Sequence, residues 1–362
     1  MGKVDRITER QLSVLAFLGL LSPMIRILPT AAVVFGGRAA WLSPVAAWAV
    51  GRLFLALIRV LRRGTPEGEG LAQTALRGLG PVGGRAFCAF CALWLTFYAG
   101  FVVRSAAERL LETVYPNGNT LLFVLVMLGV SLITAAGLTK NLVRTAEVLT
   151  PILTVIIIAV LVSAVTDLDV HNLLPVTVRD TEEILFGALP IFDVLSAFVY
   201  FLFLRGYVTR PEGQRPRAFP WFTGLALFAF GLTFMTLGTL GDKLAISMEN
   251  AFFMVVRNIK IFGVVERIEA VVVTVWIVTD FIFVATILMI VAEIWKTVFG
   301  TKKRQLFVPP SAVASTAVAF LIVRDAFALE RWSDFLIPAA NMAVAVVLIP
   351  AVLAAAKIRK KQ

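Results

Sequence analysis

Ten apolar runs, each close to the length that crosses a lipid bilayer, divide this chain of 362 residues. A membrane-spanning helix needs about 20 consecutive apolar residues, because the hydrocarbon core is about 30 Å thick. Backbone groups find no water at that depth, so runs of this length must fold as α-helices. The runs lie near 11–33, 39–61, 86–110, 119–138, 147–166, 183–204, 218–240, 268–295, 308–323 and 335–356.

The composition agrees with a chain that lies mostly in lipid. Hydrophobic residues make up 59% of the sequence and charged residues 16%, whereas soluble domains have about 45–50% apolar and about 25% charged residues. The sequence therefore predicts an all-α integral membrane protein, with residues 1–362 forming a single transmembrane domain.

Basic residues are concentrated in alternate loops. The loops on the side of both termini hold 22 Lys and Arg residues and the opposite loops hold 8, while Arg26, Arg52, Arg104 and Arg109 lie within the runs. The positive-inside rule then places both termini in the cytoplasm, which requires an even number of spans such as ten. This asymmetry also explains the net charge of +11, so we predict no nucleic-acid partner.

The first and sixth runs both contain helix-breaking residues and a charge. These are Pro23, Pro29 and Arg26 in the first run, and Gly187, Pro190 and Asp193 in the sixth. In transporters built from inverted repeats, matching helices of the two halves unwind at the midplane, and the freed backbone groups bind substrate or ions. The alternative is a pair of proline kinks whose freed backbone groups are satisfied by neighbouring helices.

A third charge at mid-membrane depth, Asp280, lies in the eighth run. We hypothesise that Arg26 is held by Asp193, Asp280 or both, because an unpaired charge at the helix centre costs about 2.5–3.5 kcal/mol. The excess negative charge would be met by a proton, a metal cation or a cationic group of a ligand. The alternatives are an ion pair that only holds the two halves together, and residues that never meet.

Two further features have simpler interpretations. Arg104 and Glu108 lie one helical turn apart and are predicted to form a structural ion pair. Residues 241–266 are too polar to span the membrane and too apolar for an ordinary loop, which favours an amphipathic segment on the outer surface, such as a lid.

Catalysis is not expected. His171 is the single histidine and lies in a loop, and the two cysteines, Cys88 and Cys91, lie in an apolar run where packing is the favoured interpretation. The sequence shows no nucleophile paired with a base and no glycine-rich phosphate loop, so we predict no enzyme activity, no cofactor and no metal site.

Several stretches together resemble the spore germination permease family, the B subunits of bacterial endospore germinant receptors. In chain order they are "ILP" (27–29), "RSAAE" (104–108), "HNLLPV" (171–176) and "FGVVERIEAVVVTVWIV" (262–278), the last with Gly263, Glu266, Arg267, Glu269 and Trp276. The last stretch is the most specific of the four, and the resemblance extends over nearly the whole chain.

The resemblance implies the ten-helix fold of amino acid permeases, of the LeuT/APC type. Two inverted five-helix repeats, about 11–166 and about 183–356, would each begin with a broken helix, helices 1 and 6. It also implies a multi-pass protein of the spore inner membrane or bacterial cell membrane, with an A subunit and a lipoprotein C subunit as partners and a small-molecule germinant as ligand.

The sequence departs from the family where that ligand should bind. Relatives have a glycine-rich turn before "LP" in the first span, where this chain has Ser22 and Met24 beside Arg26. They commonly have Gly-x-Glu after the second break, where the best match here is Ala197, Phe198 and Val199. We therefore name Ser22, Met24, Arg26, Asp193 and Asp280 as candidate ligand-binding residues and regard an amino acid germinant as doubtful.

Three functions remain open. The chain is a germinant-receptor B subunit, a secondary transporter of an amino acid, amine or organic ion with the same fold, or a ligand-free scaffold subunit of the receptor complex.

The predicted topology can be tested with single cysteines. We expect cysteines introduced at Asn117 and Asp334 to react with an impermeant thiol reagent from outside, and cysteines at Gly64 and Gln214 to stay unlabelled. Labelling of all four positions, or the reverse pattern, would contradict the ten-span topology with cytoplasmic termini.

Overall fold

The computed structural model describes residues 5–63, 65–66, 68–209, 218–248, 250–259 and 268–359, and this part of the chain is helical apart from short connections. One isolated bridge joins Ile7 and Val208. The α-helices are α1 (Glu9–Gly36), α2 (Ser43–Leu61), α3 (Leu71–Thr113), α4 (Thr120–Ala136), α5 (Thr139–Ala164), α6 (Thr181–Ser196), α7 (Ala218–Ile246), α8 (Ala251–Asn258), α9 (Ile268–Val298), α10 (Val308–Ala317), α11 (Ala326–Arg331), α12 (Ile337–Met342) and α13 (Ile349–Arg359).

Short stretches of other helix types connect several of these elements. A 3-10 helix, Gly37–Leu42, joins α1 to α2, and another, Ala197–Tyr207, continues α6. The last two apolar runs include π-helical turns at Val318–Ile322, Trp332–Leu336 and Ala343–Leu348.

Eight helical segments of the described chain are long and apolar enough to cross a membrane, which makes the protein a multi-pass membrane protein. They are Leu28–Leu61, Leu71–Thr113, Thr139–Asp167, Val178–Tyr207, Ala218–Ile246, Glu269–Val298, Arg304–Ile322 and Phe327–Arg359. The apolar helix α4 is shorter, and the segment Leu28–Leu61 runs across the connection between α1 and α2. The ten-span count therefore remains a prediction.

Helix α1 is the centre of the bundle. It packs against α5, α6, α7, α8 and α9, and most of its residues from Val14 to Val33 are buried. The prediction that this helix is broken is wrong: α1 is one continuous helix with Pro23 and Pro29 inside it. Each proline removes a single backbone hydrogen bond, and the five packed neighbours keep the helix together.

The sixth run is also continuous where a break was predicted. Helix α6 passes through Gly187 and Pro190 and changes to a 3-10 helix only after Ser196. Gly187 permits close packing, because a Cβ there would lie 2.5 Å from Ser43 Oγ and 2.9 Å from the Ala32 carbonyl oxygen. The 3-10 helix that follows has 11 residues, which is unusually long. The departure from α-helix in this run therefore lies after Asp193, not at Gly187 or Pro190.

Real bends occur in α3 and α7. Gly80 and Gly241 have φ values of 81° and 72°, a left-handed conformation that glycine adopts without strain. The "NLLP" stretch packs on the second bend, where the Asn172 side-chain amide donates to the Gly238 carbonyl at 3.0 Å.

The described part of the predicted lid, 241–248 and 250–259, is largely packed against the bundle. It consists of the C-terminal end of α7 and the whole of α8. The buried side chains of α8 include Phe252, Phe253, Val255 and Val256. Helix α8 contacts α1, α7 and α9. Residues 260–266 lie outside the described part of the chain, as do Gly263, Glu266 and Arg267 of the family-like stretch.

We predict that Gly187→Ala lowers the free energy of unfolding by about 1–3 kcal/mol, because the new methyl group would overlap α1 and α2. The matched control is Gly129→Ala in α4, where a Cβ meets no atom within 4 Å. Thermal unfolding in detergent should show a lower Tm for the first variant alone. Equal Tm values would contradict the close packing of α6.

Candidate functional site

A buried carboxylate joins three helices. Asp280 of α9 is 2% exposed, and each of its carboxylate oxygens accepts a hydrogen bond from a different helix. The Ser22 hydroxyl of α1 donates to Oδ1, and Arg109 Nη2 of α3 donates to Oδ2 in a salt bridge. A buried charge is tolerated when it is paired and hydrogen-bonded in this way, so α1, α3 and α9 are coupled through Asp280.

Trp276, one turn before Asp280 on α9, belongs to the same cluster. The Arg109 guanidinium lies 5.0 Å from the centre of the Trp276 ring, which is a cation–π distance. The Phe253 ring of α8 also packs on Trp276, with the two ring centres 5.3 Å apart. The described part of the predicted lid therefore contacts the site directly.

Two donors in this cluster are buried without a hydrogen-bond acceptor among the described residues: Arg109 Nη1 and Trp276 Nε1. A buried donor left unpaired costs about 1–3 kcal/mol. At this place beside a cavity, a ligand or an ordered water would supply the missing acceptors.

A cavity of about 440 Å³ lies beside the cluster, between α3, α4 and α9. This volume is within the range of small-molecule binding sites, about 300–1,000 Å³. The cavity is lined by Ala106, Ala107, Arg109, Leu110, Thr113, Tyr115, Phe123, Val126, Met127, Val130, Val273, Trp276, Ile277, Val278, Asp280 and Phe281.

Asp193 of α6 forms a second buried site, with different neighbours. The Asn341 side chain of α12 hydrogen-bonds to it, while Asp193 Oδ1 has no partner in the described chain. The Asn341 amide oxygen accepts from Tyr200 Oη and from Trp94 Nε1, each at 3.1 Å.

Stacked aromatic rings connect the two acidic sites. Trp94 stacks on Tyr98 with ring centres 6.2 Å apart, and Tyr98 meets the edge of Phe283 at 5.7 Å. Phe283 is on α9, three residues after Asp280. The two aspartates therefore do not share a partner among the described contacts, but a continuous packed path joins them.

The site residues named from the sequence are partly brought together. Ser22 contacts Asp280, and Met24 is fully buried in the core. The Arg26 side chain lies outside the described part of the structure, so its pairing with an aspartate stays a prediction. Arg104 and Glu108 form an ion pair at 2.5 Å, and Arg104 also donates to the Arg324 carbonyl at 3.0 Å.

The sequence analysis did not name Arg109 or Asn341 as site residues, and it named Trp276 only as part of the family-like stretch. Arg109 had been counted among the arginines inside the runs, and Trp276 is four residues before Asp280, on the same helical face. Both signals were present, but a partner in another helix cannot be read from spacing along one helix.

Polar contacts join several elements at the opposite end of the bundle, where a second cavity of about 370 Å³ lies near Glu9, Arg59 and Arg205. Tyr207 Oη donates to Glu293 Oε2 at 2.6 Å, and Arg304 Nη1 donates to Thr139 Oγ1 at 2.8 Å. Asp5 accepts from the backbone amides of Thr139 and Lys140 at 3.0 and 2.9 Å. These contacts join the N-terminal segment, α5 and α9 with the chain before α7 and the chain between α9 and α10, at the predicted cytoplasmic face.

The fold and the site define a class of protein: a helical multi-pass membrane protein with buried charged residues beside a half-open cavity, as in permeases. The family follows from comparison with family models. Residues 6–326 match the model described as spore germination protein, and the chain belongs to this spore germination permease family. A comparison with curated proteins gave no match.

We predict that Asp280→Asn or Arg109→Gln alone destabilises the protein by about 3–5 kcal/mol, because each leaves the other charge buried without its partner. The double variant should recover much of this loss. The measurement is the amount of folded protein and its Tm in detergent for the two single variants and the double variant. Strictly additive losses would show that the two side chains do not interact.

Proposed function

We propose that this protein is the B subunit of a germinant receptor, which binds a small molecule on a permease-like scaffold and transmits that binding to partner subunits. The family membership supports a role in spore germination. The proposed partners are the A subunit and the lipoprotein C subunit, and the proposed location is the spore inner membrane. The full architecture would be ten helices in two inverted repeats with both termini in the cytoplasm.

One observation carries the binding proposal: the Asp280 carboxylate, shared by Ser22 and Arg109, lies at the wall of the 440 Å³ cavity. A ligand there would contact residues of α3 and α9 directly and α1 through Asp280. Since α1 is packed against five other helices, a small change at this carboxylate can alter the position of much of the bundle.

The arrangement of the two ends supports an external ligand. The cavity is lined by the end of α3 and the start of α4 and α9, which the charge pattern assigns to the outer half of the membrane. The polar contacts around Tyr207 and Arg304 join helices at the predicted cytoplasmic end. Helix α8, which packs on Trp276 through Phe253, is the proposed lid.

Two alternatives keep the same fold. A secondary transporter would also use a buried charged site, but it would accumulate solute in proteoliposomes. A ligand-free scaffold subunit would need the Arg109–Asp280 pair only for stability, and its cavity would not affect the choice of germinant.

The test uses spores that carry the double variant Arg109→Gln/Asp280→Asn, with the level of the receptor complex measured separately. We expect a normal complex level and at least about a tenfold higher germinant concentration for half-maximal germination, since the loss of about 1.4 kcal/mol of binding gives this factor. The matched control is Arg104→Gln/Glu108→Gln, a pair on the same helix that lies outside the cavity lining.

The control variant should germinate like the unmodified strain. An unchanged response in the Arg109/Asp280 variant, with complex level maintained, would contradict the binding proposal and favour the scaffold alternative. Uptake of solute by the purified protein would favour the transporter.

A further inference from the structure

The cavity between α3, α4 and α9 has a distinctive combination of charge and hydrogen-bonding groups. Of its 16 lining residues, two are charged, Arg109 and Asp280, and these neutralise each other. Both Asp280 oxygens already accept hydrogen bonds. Among the described residues, the cavity wall thus has no net charge and no carboxylate oxygen that lacks a partner.

The buried hydrogen-bonding atoms of the cluster that lack a partner among the described residues are both donors. Arg109 and Trp276 line the cavity, and each keeps one N–H without an acceptor among the described residues. The surrounding wall is made mostly of alanine, leucine, valine, isoleucine, methionine and phenylalanine side chains, together with Tyr115 and with Thr113, whose hydroxyl donates to the Arg109 carbonyl. A ligand that fits would bring an acceptor to the two donors and place an apolar body against this wall.

A free amino acid does not match this chemistry. Its ammonium and carboxylate groups each need a partner of opposite charge when they leave water, and the two charged side chains among the described residues of the cavity wall are bonded to each other. A carbonyl or ether oxygen, in contrast, accepts hydrogen bonds without adding charge to a site of low dielectric constant.

We propose that the cavity binds an uncharged, largely apolar small molecule through one carbonyl-type acceptor, with Arg109 and Trp276 as donors. This inference rests on the proposed function and specifies its ligand class. The Trp276 ring would contact both the ligand and the Arg109 guanidinium. Phe253 of α8, the proposed lid, would pack against the same ring.

The test compares three probes on the purified protein in nanodiscs of ether-linked phospholipid, which offers no ester carbonyl. The probes are acetophenone, which has a carbonyl acceptor, ethylbenzene, which has a similar shape without one, and L-alanine. Binding is followed by the indole ¹⁵N–¹H NMR signal of Trp276, assigned by its loss in Trp276→Phe, and affinity by titration.

We expect acetophenone to shift the Trp276 signal and to bind about threefold to tenfold more tightly than ethylbenzene, the factor that one hydrogen bond supplies. In Trp276→Phe, affinities are read from the NMR signals of the ligands. The affinity for acetophenone should fall toward that for ethylbenzene, and the affinity for ethylbenzene should stay the same. The matched control, Trp295→Phe at the other end of α9, should change neither affinity.

Several results would overturn the inference: tighter binding of L-alanine than of acetophenone, equal affinity for acetophenone and ethylbenzene, or no response of Trp276 to any probe. Repeating the titration in ester-linked lipid tests the competing occupant. A Trp276 signal that is already shifted there, and that acetophenone no longer changes, would show that a lipid ester fills the cavity and would overturn the small-molecule proposal. None of these results decides whether the protein serves germination, which depends on the spore response.

Discussion

The buried charge of Asp280 constrains the arrangement of the helices around it. A carboxylate at this depth needs a cationic partner and hydrogen-bond donors, because its solvation in water is lost and cannot be replaced by apolar side chains. Arg109 and Ser22 supply these groups from α3 and α1. The positions of three helices are therefore fixed at one point, and the cavity between α3, α4 and α9 is formed beside that point.

The same interaction gives the site a means of responding to a ligand. The Arg109 guanidinium forms the salt bridge to Asp280 and also contacts the Trp276 ring. Its Nη1 group has no acceptor in the described chain. A ligand that supplies the acceptor changes the balance of these contacts. In the proposed function, such a change would reach α1 through Ser22, and the packed rings of Phe283, Tyr98 and Trp94 connect the cluster to the Asp193–Asn341 site.

Much of the fold could be predicted from the sequence because hydrophobic length is a strong signal in membranes. The apolar run predicted at 218–240 lies in α7, and the run at 268–295 lies in α9. The predicted helix breaks were wrong because proline and glycine also occur inside continuous helices, where they have other structural roles. Pro23 and Pro29 are accommodated in a helix with packed neighbours, and Gly187 permits close packing against Ser43.

The candidate site was predicted less completely, for a related reason. Asp280 was recognised because a charge in an apolar run is conspicuous, and Ser22 because it lies where the family has its first-span turn. Arg109 was not chosen as the partner, because pairing between distant helices depends on how they pack. The Arg104–Glu108 pair was predicted correctly since both residues lie on one face of one helix.

The most direct test of the account is the ¹⁵N–¹³C dipolar coupling between arginine guanidinium and aspartate carboxylate groups, measured by solid-state NMR on the protein in membranes. We predict a coupling that disappears in Asp280→Asn and in Arg109→Gln and that remains in Arg26→Gln. A coupling that survives Arg109→Gln but is lost in Arg26→Gln would contradict the central claim that Asp280 is paired with Arg109.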